Sequence, residues 1–161
     1  MLRVLTTIYG ALMIVFSVTV IVNFKAIGVT RLAGVGAVLL LVMETVSLIG
    51  YGLFPMDQAL PAGSFQNLMH IVVTAVVVLC TIGSGYAVGI GLWKTDGTRK
   101  MGIFIFVCSI VITVFGAFTP IAMANGLAFS GLTERINILT LQIWLSALSV
   151  YLFMKSRKRR A

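Results

Sequence analysis

The chain has 161 residues, of which 60% are apolar and only 10% are charged, and its mean hydropathy is +1.11. These values lie outside the range of soluble domains and predict an integral membrane protein. The formal net charge of +8 does not indicate nucleic-acid binding, because the basic residues lie beside apolar segments and are not interleaved with exposed aromatic residues.

Five apolar segments are each long enough to cross a hydrocarbon core of roughly 30 Å, which takes about 20 helical residues. They span about 4–23, 32–54, 67–93, 101–124 and 136–154. Little more than short loops remains between them. We therefore predict an all-α fold, with residues 1–161 forming a single domain that is one bundle of five transmembrane helices. Small residues four positions apart, such as Gly85 and Gly89, predict close helix packing.

Lys and Arg residues cluster in every second gap between these segments and in the C-terminal tail. The clusters are Lys25 with Arg31, Lys94 with Arg99 and Lys100, and Lys155 with Arg157, Lys158, Arg159 and Arg160. Cytoplasmic loops of membrane proteins carry an excess of Lys and Arg. We therefore expect the N-terminus outside and the C-terminus in the cytoplasm. We also expect the basic tail to contact anionic membrane lipid.

Glu44 lies inside the second segment, about ten residues, or roughly 15 Å, from its predicted outer end. A carboxylate at that depth costs several kcal/mol unless it is neutralised, hydrated or paired. Ser47 and Tyr51 follow on the same helical face, and this polar stripe leads outward toward Asp57. Two interpretations remain open: a site for a ligand or a proton, and a protonated Glu that hydrogen-bonds to a neighbouring helix.

His70, the only histidine, lies one helical turn inside the third segment. Asp57, Glu134 and Glu44 are candidate oxygen ligands near it, but one His with scattered carboxylates is a poor metal site. We therefore expect no metal and no other cofactor. We interpret His70 as a hydrogen-bonded or pH-responsive residue.

The fifth segment carries a polar stripe. Gln142, Ser146 and Ser149 follow Arg135 at helical spacing, which predicts a polar face turned toward neighbouring helices. Arg135 and Asp57 both lie on the predicted outer side, so they are candidates for an ion pair. Alternatively, Arg135 binds the head group of an anionic ligand.

These polar groups come from separate helices, and we expect them to form a vestibule that opens outward. The predicted ligand-binding residues are Glu44, Ser47, Tyr51, Asp57, His70, Arg135 and Gln142. Our leading hypothesis is a protein without enzymatic activity that binds or moves a small amphiphile, lipid or ion through this pocket. One alternative is a membrane-embedded hydrolase or lipid-modifying enzyme, with His70 as the general base oriented by Asp57. Another is a structural or assembly subunit that self-associates.

The segments GYGLFPMDQ and GLTERI, with His70 between them, resemble a family of prokaryotic membrane proteins catalogued as domain of unknown function number nine-nine-eight. The resemblance extends over roughly residues 32–154 and rests on Gly52, Leu53, Phe54, Pro55, Asp57, His70, Gly131 and Arg135. It implies six spans where this chain shows five, which leaves open whether an N-terminal span is missing. It implies a bacterial or archaeal cell membrane and supplies no reaction.

Overall fold

In the computed structural model, which describes residues 2–61, 63–127 and 129–160, the chain folds into five α-helices and no strand. The helices are α1 (Leu2–Ile27), α2 (Arg31–Leu53), α3 (Phe65–Trp93), α4 (Arg99–Ala124) and α5 (Ser130–Arg160). All five contain a stretch that is long and apolar enough to span a membrane. The prediction of an all-α, multi-pass membrane protein is therefore confirmed.

The last helix is longer than the apolar pattern predicts. α5 begins at Ser130 and not near residue 136, so the segment from Gly131 to Arg135, which we expected to belong to a loop, is helical. At its other end α5 continues through the basic tail to Arg160. Hydrophobicity marks only the part of a helix that suits the lipid core, so polar helical turns at either end escape such a prediction.

The helices form a ring in chain order. Each helix packs on the next one, and α1 and α5 close the ring with only sparse contacts. Within the described part of the chain, helices on opposite sides of the ring make no backbone contacts. The centre is filled by large side chains from every helix, including Phe24, Leu40, Leu92, Ile105 and Trp144, each at most 1% exposed.

Glycines allow α3 and α4 to approach each other closely. A Cβ atom added at Gly89 would lie 2.8 Å from the backbone nitrogen of Phe106 on α4. A Cβ added at Gly85, one turn earlier, would collide with the side chain of Ser109 on α4. The close packing predicted from the spacing of Gly85 and Gly89 is therefore confirmed.

The two ends of the bundle differ in character. The basic end consists of residues 25–31, 94–100 and 155–160, and hydrogen bonds tie its parts together. The Thr30 amide donates to the Thr95 hydroxyl at 3.3 Å, and the Tyr151 hydroxyl donates to the Gly97 carbonyl at 2.8 Å. The loop end consists of the start of α1 with residues 54–61, 63–64, 125–127 and 129. The polar side chains that are candidates for a functional site lie between the loop end and the middle of the bundle.

Candidate functional site

Glu44 is a buried acidic residue in the middle of a membrane-spanning helix. It lies about nine residues before Leu53, where α2 ends, which corresponds to roughly 14 Å along the helix axis. Its side chain is 5% exposed. Among the residues that the structure describes, none forms a hydrogen bond or an ion pair with its carboxylate. Ionisable residues within membrane spans are costly, and they typically mark functional positions.

Two polar side chains from other helices accompany Glu44. The amide nitrogen of Gln142 on α5 donates a hydrogen bond to the hydroxyl of Tyr9 on α1. Tyr9 is close enough to Glu44 for the two side chains to interact electrostatically. We call these three residues the Glu44 cluster, and the line along which α1 meets α5 the seam. Because Tyr9 is 45% exposed, the Glu44 cluster extends from the interior to the surface of the bundle.

A second polar group lies nearer the loop end, between α2 and α3. The Tyr51 hydroxyl donates to the Thr74 hydroxyl at 3.2 Å, and Thr74 in turn donates to the backbone carbonyl of His70 at 2.9 Å. The centroids of the Tyr51 and His70 rings lie 5.1 Å apart. His70 Nδ1 is 2.8 Å from the carbonyl oxygen of Phe54, to which it donates when it carries the proton. Ser47, half-buried, lies one turn before Tyr51 on α2.

Asn67 organises the loop that follows α2. Its side-chain oxygen accepts a hydrogen bond from the Asp57 amide at 3.0 Å, and its side-chain nitrogen donates to the carbonyls of Asp57 and Pro61 at 3.0 and 3.2 Å. The Asp57 carboxylate accepts from the Ala59 amide at 2.9 Å. Asp57 thus stabilises its own turn, and in the described part of the chain no hydrogen bond or ion pair joins it to His70.

Arg135 lies outside both polar groups. Its side chain is exposed and makes no hydrogen bond or ion pair with any described residue, so the expected pairing with Asp57 is not formed there. Ser146 and Ser149 are also exposed, whereas Gln142 is half-buried and bonded to α1. The prediction that this whole stripe of α5 faces neighbouring helices is wrong, because large apolar side chains on another face of α5 fill the ring.

The sequence pattern did not identify Tyr9 or Asn67. A signal for Tyr9 was available, because a buried or half-buried Tyr hydroxyl in an apolar span needs a hydrogen-bond partner. For Asn67 the signal was an Asn in the first turn of a helix that follows a Pro- and Gly-containing loop, where its amide reaches backbone groups. Neither signal names the partner, since Tyr9 bonds to a residue 133 positions away.

The chemistry available at the Glu44 cluster is that of oxygen acceptors. The Glu44 carboxylate carries no bond from a described residue, and the Gln142 nitrogen is already engaged with Tyr9, which leaves the Gln142 oxygen as a further acceptor. A buried carboxylate without a bond from a described residue suits a cationic group. The described residues contain no group of three His, Cys, Asp or Glu side chains placed to hold a metal ion.

Comparison with known proteins gives one family. The chain matches the family described as "Protein of unknown function (DUF998)" over residues 1–151. No curated protein and no solved structure gives a significant match. The match includes α1, so the resemblance that we placed at roughly 32–154 was drawn too narrowly at its start. With most of its length matched, this multi-pass membrane protein belongs to the DUF998 family, whose function is unknown.

Proposed function

We propose that this protein binds a small ligand with a positively charged group at the Glu44 cluster, within the membrane. The ligand is a cationic amphiphile or an inorganic cation. The burial of Glu44 carries this proposal: the side chain is 5% exposed and has no hydrogen bond or ion pair from a described residue. A carboxylate in the hydrocarbon region costs several kcal/mol unless it is neutralised, hydrated or paired, so a bound cation would stabilise it.

The seam supports access to Glu44 from the side of the bundle. α1 and α5 contact each other only sparsely, and Tyr9 is 45% exposed although it lies within electrostatic range of Glu44. The Tyr9 ring is a second reason to propose an ammonium group, because the face of an aromatic ring attracts such cations by about 0.5–2 kcal/mol. An alkyl chain on the same ligand would remain in the surrounding lipid.

The geometry gives less support to a hydrolase that uses His70. A general base needs a partner that orients it, and the expected partner, Asp57, accepts a hydrogen bond from the Ala59 amide. His70 Nδ1 is within hydrogen-bond distance of the Phe54 carbonyl instead. These contacts are those of a structural junction between α2, its loop and α3.

A second candidate function, that of a subunit in a homo-oligomer, has support from the exposed polar face of α5. Ser146 and Ser149 are exposed within the part of α5 that is long and apolar enough to span the membrane. Serines on membrane helices are enriched at helix–helix interfaces, where they hydrogen-bond across helices. Subunit counting by photobleaching in vesicles tests this proposal. Replacing both serines by Leu should convert the oligomer to monomers, and a monomeric wild-type protein would exclude it.

Thermal unfolding of the purified protein in nanodiscs of zwitterionic lipid tests the proposed ligand class. The probes are a single-chain quaternary ammonium amphiphile, its uncharged alcohol analogue with the same chain, and Na⁺ or K⁺ at constant ionic strength. At a hundredfold excess over Kd, a ligand that binds only the folded state adds about 2.7 kcal/mol of stability. We expect the ammonium probe or the inorganic cations, and not the alcohol, to stabilise the wild-type protein.

Two variants separate the Glu44 cluster from nonspecific charge effects. Glu44→Gln retains the shape of the side chain and should abolish the stabilisation by the cationic probe. Glu134→Gln removes an exposed carboxylate and should retain it. Equal stabilisation of wild-type protein and Glu44→Gln, or no stabilisation of the wild-type protein by any cationic probe, would contradict the proposal. The response to the inorganic ions distinguishes an ion-binding protein from one that binds an amphiphile.

A further inference from the structure

A groove lies on the surface of the bundle at the basic end, between α3 and α4. Its volume is about 380 Å³, and Ile90, Trp93, Lys94 and Phe106 line it. The surface that lines the groove is apolar, so Lys94 lies at its edge and the ammonium group of Lys94 is not part of the lining. Because ligand pockets in proteins range from roughly 300 to 1,000 Å³, the groove is large enough to hold part of an amphiphile.

Aromatic and glycine contacts hold the walls of the groove in place. The Phe106 ring packs edge-on against the rings of Trp93 and Tyr86, with centroids 5.7 and 5.6 Å apart. Behind these rings the helix backbones meet: an added Cβ at Gly89 would lie 2.8 Å from the Phe106 nitrogen, and one at Gly102 would lie 2.7 Å from the Gly89 carbonyl oxygen. The groove is therefore preformed, and binding requires little rearrangement of the two helices.

The loop that carries Lys94 is also fixed. The Thr98 hydroxyl donates to the Thr95 carbonyl at 2.8 Å, and the Tyr151 hydroxyl on α5 donates to the Gly97 carbonyl at 2.8 Å. These bonds hold the loop both from within and from α5, whose backbone does not contact that of α3 in the described part of the chain. Ordering the Lys94 side chain is then the main entropic cost of placing its ammonium group on a ligand.

The charges around the groove favour an anionic ligand. Lys94 lies at the edge of the groove, and Arg99 and Lys100 begin α4 within one turn of Gly102, whose backbone lies against that of Trp93. These three cations are exposed, and the segment from Lys94 to Lys100 contains a single acidic residue, Asp96. The segment therefore keeps a net positive charge next to an apolar groove.

We infer that this groove binds one anionic phospholipid from the surrounding membrane. An acyl chain lies against Ile90 and Phe106, and the headgroup phosphate contacts Lys94. Trp93 is 39% exposed beside that lysine, and Trp and Lys are both favoured at the boundary between lipid tails and headgroups. The groove lies between α3 and α4, whereas the Glu44 cluster lies on α1, α2 and α5. The lipid site therefore does not depend on the ligand proposed for the Glu44 cluster.

Native mass spectrometry tests the inference. The protein is reconstituted in nanodiscs with equal amounts of phosphatidylglycerol and phosphatidylcholine of identical acyl chains, and the lipids that remain on the released protein are identified. The wild-type protein should retain one phosphatidylglycerol in preference to phosphatidylcholine. Lys94→Gln should reduce this preference roughly fivefold. One cation near an anionic surface contributes about 1 kcal/mol to lipid binding, which corresponds to a factor of about five in affinity. Lys25→Gln, which removes an equal exposed charge from the last turn of α1, should leave it unchanged.

A variant of the apolar wall tests the other half of the site. Ile90→Trp fills the groove without a change of charge and should reduce the retention of both lipids, while circular dichroism and the thermal midpoint check its folding. If it fails to fold, the comparison of the two lysine variants still decides, because Lys94 is exposed. Equal losses in Lys94→Gln and Lys25→Gln, or equal retention of the two lipids by the wild-type protein, would overturn the inference.

Discussion

The side-chain nitrogen of Gln142 donates a hydrogen bond to the hydroxyl of Tyr9, and this bond joins α5 to α1 across 133 positions of the sequence. α1 and α5 contact each other only sparsely, so the bond is one of few interactions that close the ring of helices. Tyr9 also lies within electrostatic range of Glu44. The same bond therefore helps to fix a hydroxyl group that lies within electrostatic range of the buried carboxylate.

The first prediction concerns the energy of this bond. Hydrogen bonds between membrane helices contribute about 0.6 kcal/mol on average and up to about 1.7 kcal/mol. A double-mutant cycle with Tyr9→Phe and Gln142→Leu should give a coupling energy in that range, measured by reversible unfolding in mixed micelles. Tyr51→Phe provides the control, because the Tyr51 hydroxyl bonds to Thr74 between another pair of helices. The stability losses of Tyr51→Phe and Gln142→Leu should simply add in the double variant. If the stability losses of Tyr9→Phe and Gln142→Leu also add in the double variant, the bond contributes nothing to stability.

The second prediction concerns the close approach of α3 and α4. Gly89→Ala places a Cβ 2.8 Å from the backbone nitrogen of Phe106, so α4 must shift. We expect a loss of about 1–3 kcal/mol in the free energy of unfolding, as for other overpacked interiors. Gly34→Ala on α2 is the matched control, because nothing lies within 4 Å of the added carbon. It should be neutral or stabilise the helix by up to about 1 kcal/mol. Equal stabilities of the two variants would refute this account of the packing.

The third prediction concerns the loop after α2. Asn67→Ala removes the side chain that accepts from the Asp57 amide and donates to the Pro61 carbonyl. The Asp57 amide and the Pro61 carbonyl belong to exposed residues, so water replaces part of the lost bonding. Stability should therefore fall by about 0.5–1.5 kcal/mol, the net contribution of one intramolecular hydrogen bond. Hydrogen exchange should accelerate at the Asp57 amide, which loses its acceptor. Gln58→Ala changes an exposed residue of the same loop and should alter neither quantity. Unchanged exchange in Asn67→Ala would argue against its role in fixing the loop.

The fourth prediction concerns orientation. We expect the basic end to face the cytoplasm, because its loops carry the Lys and Arg excess typical of cytoplasmic loops. In a background with Cys80→Ala and Cys108→Ala, a thiol at Gln58→Cys should react with a membrane-impermeant reagent in intact cells. A thiol at Asp96→Cys should react only after permeabilisation. Both positions are exposed on the bundle, at opposite ends. The reverse labelling pattern would invert the topology.

The prediction of five membrane spans from sequence was reliable because burial in lipid depends on local composition. About 20 consecutive apolar residues suffice to span the hydrocarbon core whatever the rest of the chain does. The same reasoning misplaced the start of α5, since the helical turn before residue 136 is polar. It did identify Glu44 as a costly buried group, because depth along a helix follows from counting residues.

The sequence by itself therefore determined the number of spans, their order and the depth of each polar residue. The tertiary structure alone decided which neighbour each polar residue meets, because the rotation of a membrane helix about its axis is set by packing against other helices. Gln142 and Ser146 lie one turn apart on α5, yet Gln142 bonds to Tyr9 and Ser146 is exposed. Lipid is apolar on every side, so hydropathy cannot tell the two positions apart, whereas the ring of neighbouring helices can.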